Sequence, residues 1–213
     1  MAVNYLRSKP AALATAGEIR ALGVEAAAIR ADVTRPADVK RLVAGTVRRF
    51  GRLDLLVNNA GIFFRTPLGE TTPAQWDRLL GVNLRGPFLL SQAAGRVMER
   101  SGGRIVNIGD VGGVRAWPSY IPYCVSKAGL LMLTRALALA LTPRIQVNCV
   151  APGAVLPPEG FPEHLRRRLR REVPMGREGD PADVAAAVLF FASPGAGWIT
   201  GESMDVNGGQ YID

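Results

Sequence analysis

Apolar and polar positions along this chain follow two alternating periods. Short apolar runs, rich in Val, Ile and Leu, fall at residues 2–5, 25–30, 53–58, 103–108, 144–150 and 202–206. Such runs between turn residues predict buried strands. Residues 10–22, 36–50, 71–100, 119–141, 161–173 and 181–192 carry apolar positions at helical spacing. Pro36 near a first turn and Gly51 just past a last one mark one helix. Gly86-Pro87 predicts a bend inside the stretch 71–100. Strands separated by helices predict right-handed crossovers and a parallel sheet covered on both faces. With no internal repeat and no linker, residues 1–213 read as a single α/β domain of three layers.

Ligands of such sheets sit at the carboxyl ends of the strands. The tips to inspect are residues 4–8, 31–33, 58–61, 107–113 and 150–156, each small or polar after an apolar run. Five such tips in succession point to a built crevice.

Composition narrows the function classes. Of 213 residues, 48% are apolar and 21% charged, a globular balance rather than a disordered one. No window reaches the ~18 uninterrupted apolar residues of a membrane span; residues 128–141 come nearest and are broken by Arg135. The first residues lack a signal-peptide layout, so the cytoplasm is the expected compartment and no membrane partner is expected. Two cysteines, Cys124 and Cys149, with the single His164, exclude a disulfide scaffold and a metal hydrolase. The net charge is +8, carried almost wholly by arginine, and only residues 166–171 concentrate it. That run reads as a solvated helix face or as a catch for an anionic substrate tail. Without interleaved aromatics it does not predict nucleic-acid binding.

The chemistry-bearing residues begin with Tyr123 and Lys127. Four apart at the start of a long helix, they share a face. A tyrosine titrates near ~10, and a neighbouring ammonium is expected to lower that value and fit the phenol for proton donation. The pair alone is common on helices; its context is not. Asn58-Asn59-Ala60-Gly61 ends a strand, Asn83 sits in a helix, and Pro152-Gly153 follows the strand after the Tyr–Lys helix. With Asp32-Val33, Ile199-Thr200-Gly201 and Asn207-Gly208-Gly209, these motifs resemble the short-chain dehydrogenase/reductase family over the whole chain. The resemblance implies a Rossmann-like doubly wound fold and a nicotinamide cofactor. It makes Tyr123 the proton donor, gives Lys127 to the phenol and the nicotinamide ribose, and has Asn83 organise water toward Lys127. It assigns Tyr5, Asp32, Val33, Asn59, Ala60, Gly61, Pro152 and Gly153 to cofactor binding.

Departures from the family pattern sharpen the reading. The family's catalytic serine position, thirteen before the tyrosine, holds Asp110. Either the site is inactive, or the chain resembles the pteridine reductase branch, which carries Asp there. Phe63, after the Asn-Asn-Ala-Gly turn, fits that branch as a ring stacking on a flat substrate, or else packs in the core. Asp110, Tyr123 and Phe63 are thus the expected substrate contacts, and a 3-oxoacyl-carrier or other carbonyl reductase is the alternative. The first strand tip offers Arg7 and Ser8 and no acidic residue, which favours NADPH over NADH through the 2′-phosphate. The threonine usual after the Pro-Gly turn is replaced by Ala154-Val155-Leu156-Pro157. The family's opening strand and glycine-rich turn have no counterpart here, so the expected fold is N-terminally truncated, lacking its first strand and first helix. A homo-oligomer, dimer or tetramer, is expected from the helix 119–141, apolar nearly all round in its second half. The competing class is a non-catalytic relic.

Overall fold

The computed structural model describes residues 1–155 and 162–212. Strands β1 (Ala2–Tyr5), β2 (Ala27–Arg30), β3 (Leu55–Asn58), β4 (Gly103–Ile108), β5 (Ile145–Pro152) and β6 (Ser203–Val206) alternate with helices α1 (Lys9–Ala21), α2 (Pro36–Phe50), α3 (Pro73–Leu80), α4 (Gly86–Met98), α5 (Ile121–Leu141), α6 (Glu163–Glu172) and α7 (Pro181–Ala192). Every ladder is parallel. The expected α/β doubly wound architecture is present. Strand β1 pairs with β2, and β3-β4-β5-β6 form a second ladder. No described strand pairs with both β1 and β3.

Side-chain alternation along β4 and β5 explains the layers. Ile105 and Val147 point to Ala94 and Met98 of α4 and Ala138 of α5. The neighbouring Val106, with Val150, meets Ala187 and Phe191 of α7 on the opposite face. A third cluster joins the two ladders: Ala31 and Val33 pack with Val39, Leu42 and Val43 of α2 and Leu90 of α4, with Ile29 of β2 and Leu56 of β3 against them. Burying these side chains at ~25 cal/mol per Å² is the main force holding the helices down.

The bend expected in the stretch 71–100 has a specific form. Helix α3, opened by a Thr72–Gln75 capping box, runs into one π turn, Gly81–Arg85, before α4 begins at Gly86. Pro87 has no N–H to give, and its ring would meet the carbonyl four residues back, that of Asn83. The chain answers with a wider turn in which the Gly86 N–H bonds to Gly81 O. Helix α5 has the length and hydropathy of a membrane-crossing segment, yet it packs along β5 and carries buried Tyr123, Ser126 and Lys127.

Candidate active site

The carboxyl ends of β3, β4 and β5 lie side by side, since Asn58 pairs with Asn107 and Ile108 with Val150. A buried polar chain locks this rim. Asn58 Nδ2 donates to Asn107 Oδ1 (2.8 Å) and Ser91 Oγ (3.1 Å), and Asn107 Nδ2 donates to Thr134 Oγ1 (2.8 Å). Each bond left unmade in the interior would cost ~1–3 kcal/mol, so α4 and α5 are held to the strand tips.

From the tip of β4 the chain turns through Asp110, whose Oδ1 accepts the Gly112 N–H at 2.6 Å. The Tyr123 hydroxyl faces the same carboxyl group, near enough for each to shift the other's ionisation. Lys127, one helical turn further on, is buried and donates to Ile108 O (2.8 Å) and Gly109 O (3.0 Å). Its Nζ lies 5.7 Å from the Tyr123 ring centroid. Three of the four expected catalytic side chains, Asp110, Tyr123 and Lys127, therefore lie together.

Their electrostatics correct one expectation. Burial, and then the Asp110 charge, push the Tyr123 phenol well above its ordinary value. The phenol is not lowered by Lys127, whose ammonium is tied to two backbone carbonyls. Burial also raises the Asp110 carboxyl, against the pull of the Gly112 N–H, and lowers Lys127. A phenol so placed holds its proton at neutral pH, as a donor must.

Asn83 sits in the π turn, a distortion frequent at functional sites. Its Oδ1 accepts the Ile62 N–H (2.9 Å), and its Nδ2 donates to Ile62 O (2.9 Å) and Ser126 Oγ (3.2 Å). Its direct bonds therefore brace the loop after β3 against α5, next to Lys127. Ser126, one residue before Lys127, was not singled out by sequence.

Phe63 is half exposed and is not a core residue. Its ring stacks on Tyr120 (centroids 4.6 Å apart, planes at 5°) and meets Tyr123 edge-on at 4.7 Å. Trp117 lies parallel to the Tyr123 ring, 6.1 Å away. Neither Trp117 nor Tyr120 was legible as a site residue, because both sit in an irregular segment without period.

A cleft of about 880 Å³ runs from the β1 and β2 tips to the loop after β3 and the end of α3. Tyr5, Arg7, Ser8, Asp32, Val33, Ala60 and Gly61 line it as expected, and Arg78 and Arg85 join them. Those two arginines come from the end of α3 and the π turn that follows it. The Asp32 carboxylate accepts from Thr34 N–H (2.9 Å) and Oγ1 (2.7 Å), and Arg85 Nη2 donates to Thr34 O (3.1 Å). Asn59, Pro152 and Gly153 are not in this lining. Asn59 is exposed past β3, and Pro152 ends β5. Gly153 is packed so closely that an added Cβ would lie 2.7 Å from Gln210 Oε1. Three arginines around one cleft, with the Ser8 hydroxyl at its mouth, are a donor set that fits a phosphate-bearing dinucleotide.

Helix α6 spends part of its charge internally. Arg166 forms a fork with Glu178 (3.1 and 2.7 Å), Arg168 pairs with Glu172, and Arg170 pairs with Glu163. Arg167, Arg171 and His164 face solvent. Leu156 and Pro157, expected after the Pro-Gly turn, and Phe161, expected to open this helix, lie outside the described residues.

The family described as enoyl-(acyl carrier protein) reductase matches residues 1–210. A 3-oxoacyl-[acyl-carrier-protein] reductase, FabG, of Staphylococcus aureus is 37% identical over 216 residues, covering 100% of this chain and 88% of that protein. The (2S)-[(R)-hydroxy(phenyl)methyl]succinyl-CoA dehydrogenase subunit BbsD of Thauera aromatica is 40% identical, covering 93% and 82%. Among solved structures, a dehydrogenase/reductase from Sinorhizobium meliloti superimposes with a TM-score of 0.93 at 36% identity, covering 99% of this chain and 84% of that one. A short-chain dehydrogenase/reductase from Serratia marcescens gives 0.93 at 37%, covering 99% and 87%. With this match along its length, and with Tyr123, Lys127 and Asp110 assembled at the strand tips, the chain belongs to the short-chain dehydrogenase/reductase family of oxidoreductases.

Proposed function

We propose that this protein is an NADPH-dependent reductase acting on a C=N or C=O bond of a small, flat heterocycle of the pterin class. The observation that carries this reading is the electrostatically coupled Asp110–Tyr123 pair with the half-exposed Phe63 ring set edge-on to the phenol. A bound nicotinamide supplies the hydride. Arg7 and Ser8 would hold its 2′-phosphate, Arg78 and Arg85 its negative charge within the cleft, and Lys127 its ribose. Tyr123 Oη gives its proton to the substrate nitrogen or oxygen, whose basicity rises as it is reduced. The Asp110 carboxylate, its pKa raised by burial, takes up a proton from solvent more readily than an ordinary aspartate and passes it to the phenolate, returning to its charged form. Asp110 also accepts from an N–H of a ring substrate, which a serine hydroxyl does less strongly.

A second reading, reduction of 3-oxoacyl thioesters, is supported by the names of the acyl-carrier relatives, and at the level of the whole chain it has the stronger backing. The two separate on a substrate panel. The purified protein, given NADPH with dihydropterins, quinones and 3-oxoacyl thioesters, should turn over the pterins fastest. A kcat/KM larger for thioesters would replace the first reading by the second, and no NADPH binding by a folded chain would remove both. The chain is proposed to act in the cytoplasm and to self-associate through α5, where Met132 and Leu139 are exposed and a groove forms with Leu84 and Phe88.

A further inference from the structure

The indole of Trp117 is built into the proton-donating pair without bearing any acid–base group of its own. Its ring lies parallel to the Tyr123 phenol, at 6.1 Å between centroids and 6° between planes. Its edge meets Phe63 at 6.3 Å. On the other side it packs over Gly112, where an added Cβ would come within 3.0 Å of Trp117 Cζ3 and 2.9 Å of Asp110 Oδ1. Gly112 is also the residue whose N–H holds the Asp110 carboxylate. One ring thus packs against both halves of the pair: the phenol itself, and the backbone group that aims the carboxylate at it.

We propose that Trp117 is a positioning residue, which sets the angle between the Tyr123 hydroxyl and the Asp110 carboxyl and keeps water from between them. The inference rests on the proposed reductase reading for its kinetic readout and on geometry alone for its spectroscopic one. Parallel aromatic pairs hold each other within a narrow range of offsets, and a proton donor displaced by a fraction of an ångström loses rate steeply. Trp117 sits in the irregular segment before α5 and is only half-buried, so its truncation leaves the three core clusters untouched. Tyr120 and Tyr123 are the titratable side chains against this ring, with Cys124 at its backbone and Asp110 across Gly112, and none of them is removed by the change.

The experiment compares Trp117→Ala and Trp117→Phe with the unaltered protein, each labelled with ¹³Cζ-tyrosine. The Tyr123 resonance is assigned by Tyr123→Phe and stands apart from those of Tyr5, Tyr120 and Tyr211. Trp117→Ala should shift the Tyr123 resonance toward those of the more exposed tyrosines. It should lower kcat on the order of tenfold with KM within about twofold. Trp117→Phe, which keeps a ring over the phenol, should restore both. Gly112→Ala, pressing on the same contact from the far side, should reproduce the shift and the fall in kcat, and it serves if Trp117→Ala does not fold. An unmoved Tyr123 resonance in both Trp117→Ala and Gly112→Ala overturns the proposal. So does a rise in KM at constant kcat, which would make Trp117 a substrate contact, or a loss that Trp117→Phe does not restore. If the unaltered protein turns over nothing on the panel, the reductase reading fails, and the resonance arm still decides the positioning role.

Discussion

Replacing Asp110 by asparagine should make the protein more stable and a poorer enzyme at once. The carboxyl is buried beside the strand tips, and burial raises its pKa above the ordinary aspartate value. A group raised in the folded state binds more protons there than in the unfolded chain across that window. Stability is therefore lost as pH rises from the unfolded value through the folded one, and the loss persists at neutral pH. Asparagine is nearly isosteric, keeps an oxygen for the Gly112 N–H now bonded at 2.6 Å, and carries no charge to desolvate. Relief of one such active-site cost is worth ~1 kcal/mol, or about 2–4 °C in Tm for a chain of this size. The same change takes the carboxylate charge from beside the Tyr123 hydroxyl and, on the proposed reading, removes the proton relay. A charge-assisted hydrogen bond is worth ~1.5–3 kcal/mol, so kcat should fall by roughly one to two decades. Thermal unfolding at pH 7.5 and at pH 4, with steady-state turnover at neutral pH, tests both halves. A lower Tm at neutral pH, or turnover equal to the unaltered enzyme, would refute the assignment of Asp110 as a buried, working carboxylate.

Tyr123→Phe should reduce turnover at least about a hundredfold while NADPH binding, followed by quenching of tryptophan fluorescence, stays within a few-fold; retained turnover would move the donor elsewhere. Arg7→Ala should raise the Kd for NADPH by roughly ten- to a hundredfold and leave NADH unchanged; an unaltered preference would show that Arg7 does not meet the 2′-phosphate. The Asp183 carboxyl, held down to about 2 by Arg177 at 2.7 and 2.9 Å, should stay ionised as pH falls below 3.8. Its ion pair is present above that value and lost only on the way to about 2, so a carboxyl ¹³C titration with a midpoint near the ordinary value would contradict the fork. Light scattering at micromolar concentration should give at least a dimer, and Met132→Glu with Leu139→Glu should dissociate it; a monomer before mutation would leave the apolar face of α5 without this explanation.

The strand tips were the most legible part of the molecule, since small and polar residues after each apolar run marked them before any contact was known. Tyr123 and Lys127 followed from helical spacing, and Arg7, Ser8 and Asp32 from position at a tip. What could not be read was the balance of forces at the phenol. Spacing puts Lys127 near Tyr123, but whether its ammonium faces the hydroxyl or the Ile108 and Gly109 carbonyls depends on how α5 seats against β4. Strand order was equally invisible to periodicity, because each strand predicts its own burial and not its neighbour. Trp117 and Tyr120 escaped because a ring stack formed across an irregular loop leaves no period. The π turn hid behind Pro87, which announces a break in helical bonding and not the manner of its repair.

The two separate ladders give the cleft a mechanical meaning. Arg7, Ser8 and Asp32 stand on or beside the β1–β2 ladder, while Asp110, Tyr123 and Lys127 stand on the other. Among the described residues the two are joined through apolar packing around α2 and α4 and the Arg85–Thr34 bond. A dinucleotide long enough to touch both would act as a clasp, and part of its binding energy would go into fixing one ladder against the other. Local opening of the smaller ladder and release of the dinucleotide are then one linked equilibrium: whatever loosens β1 from the core weakens cofactor affinity from a distance, and saturating cofactor slows amide exchange in β1 and β2 more than in β4 and β5.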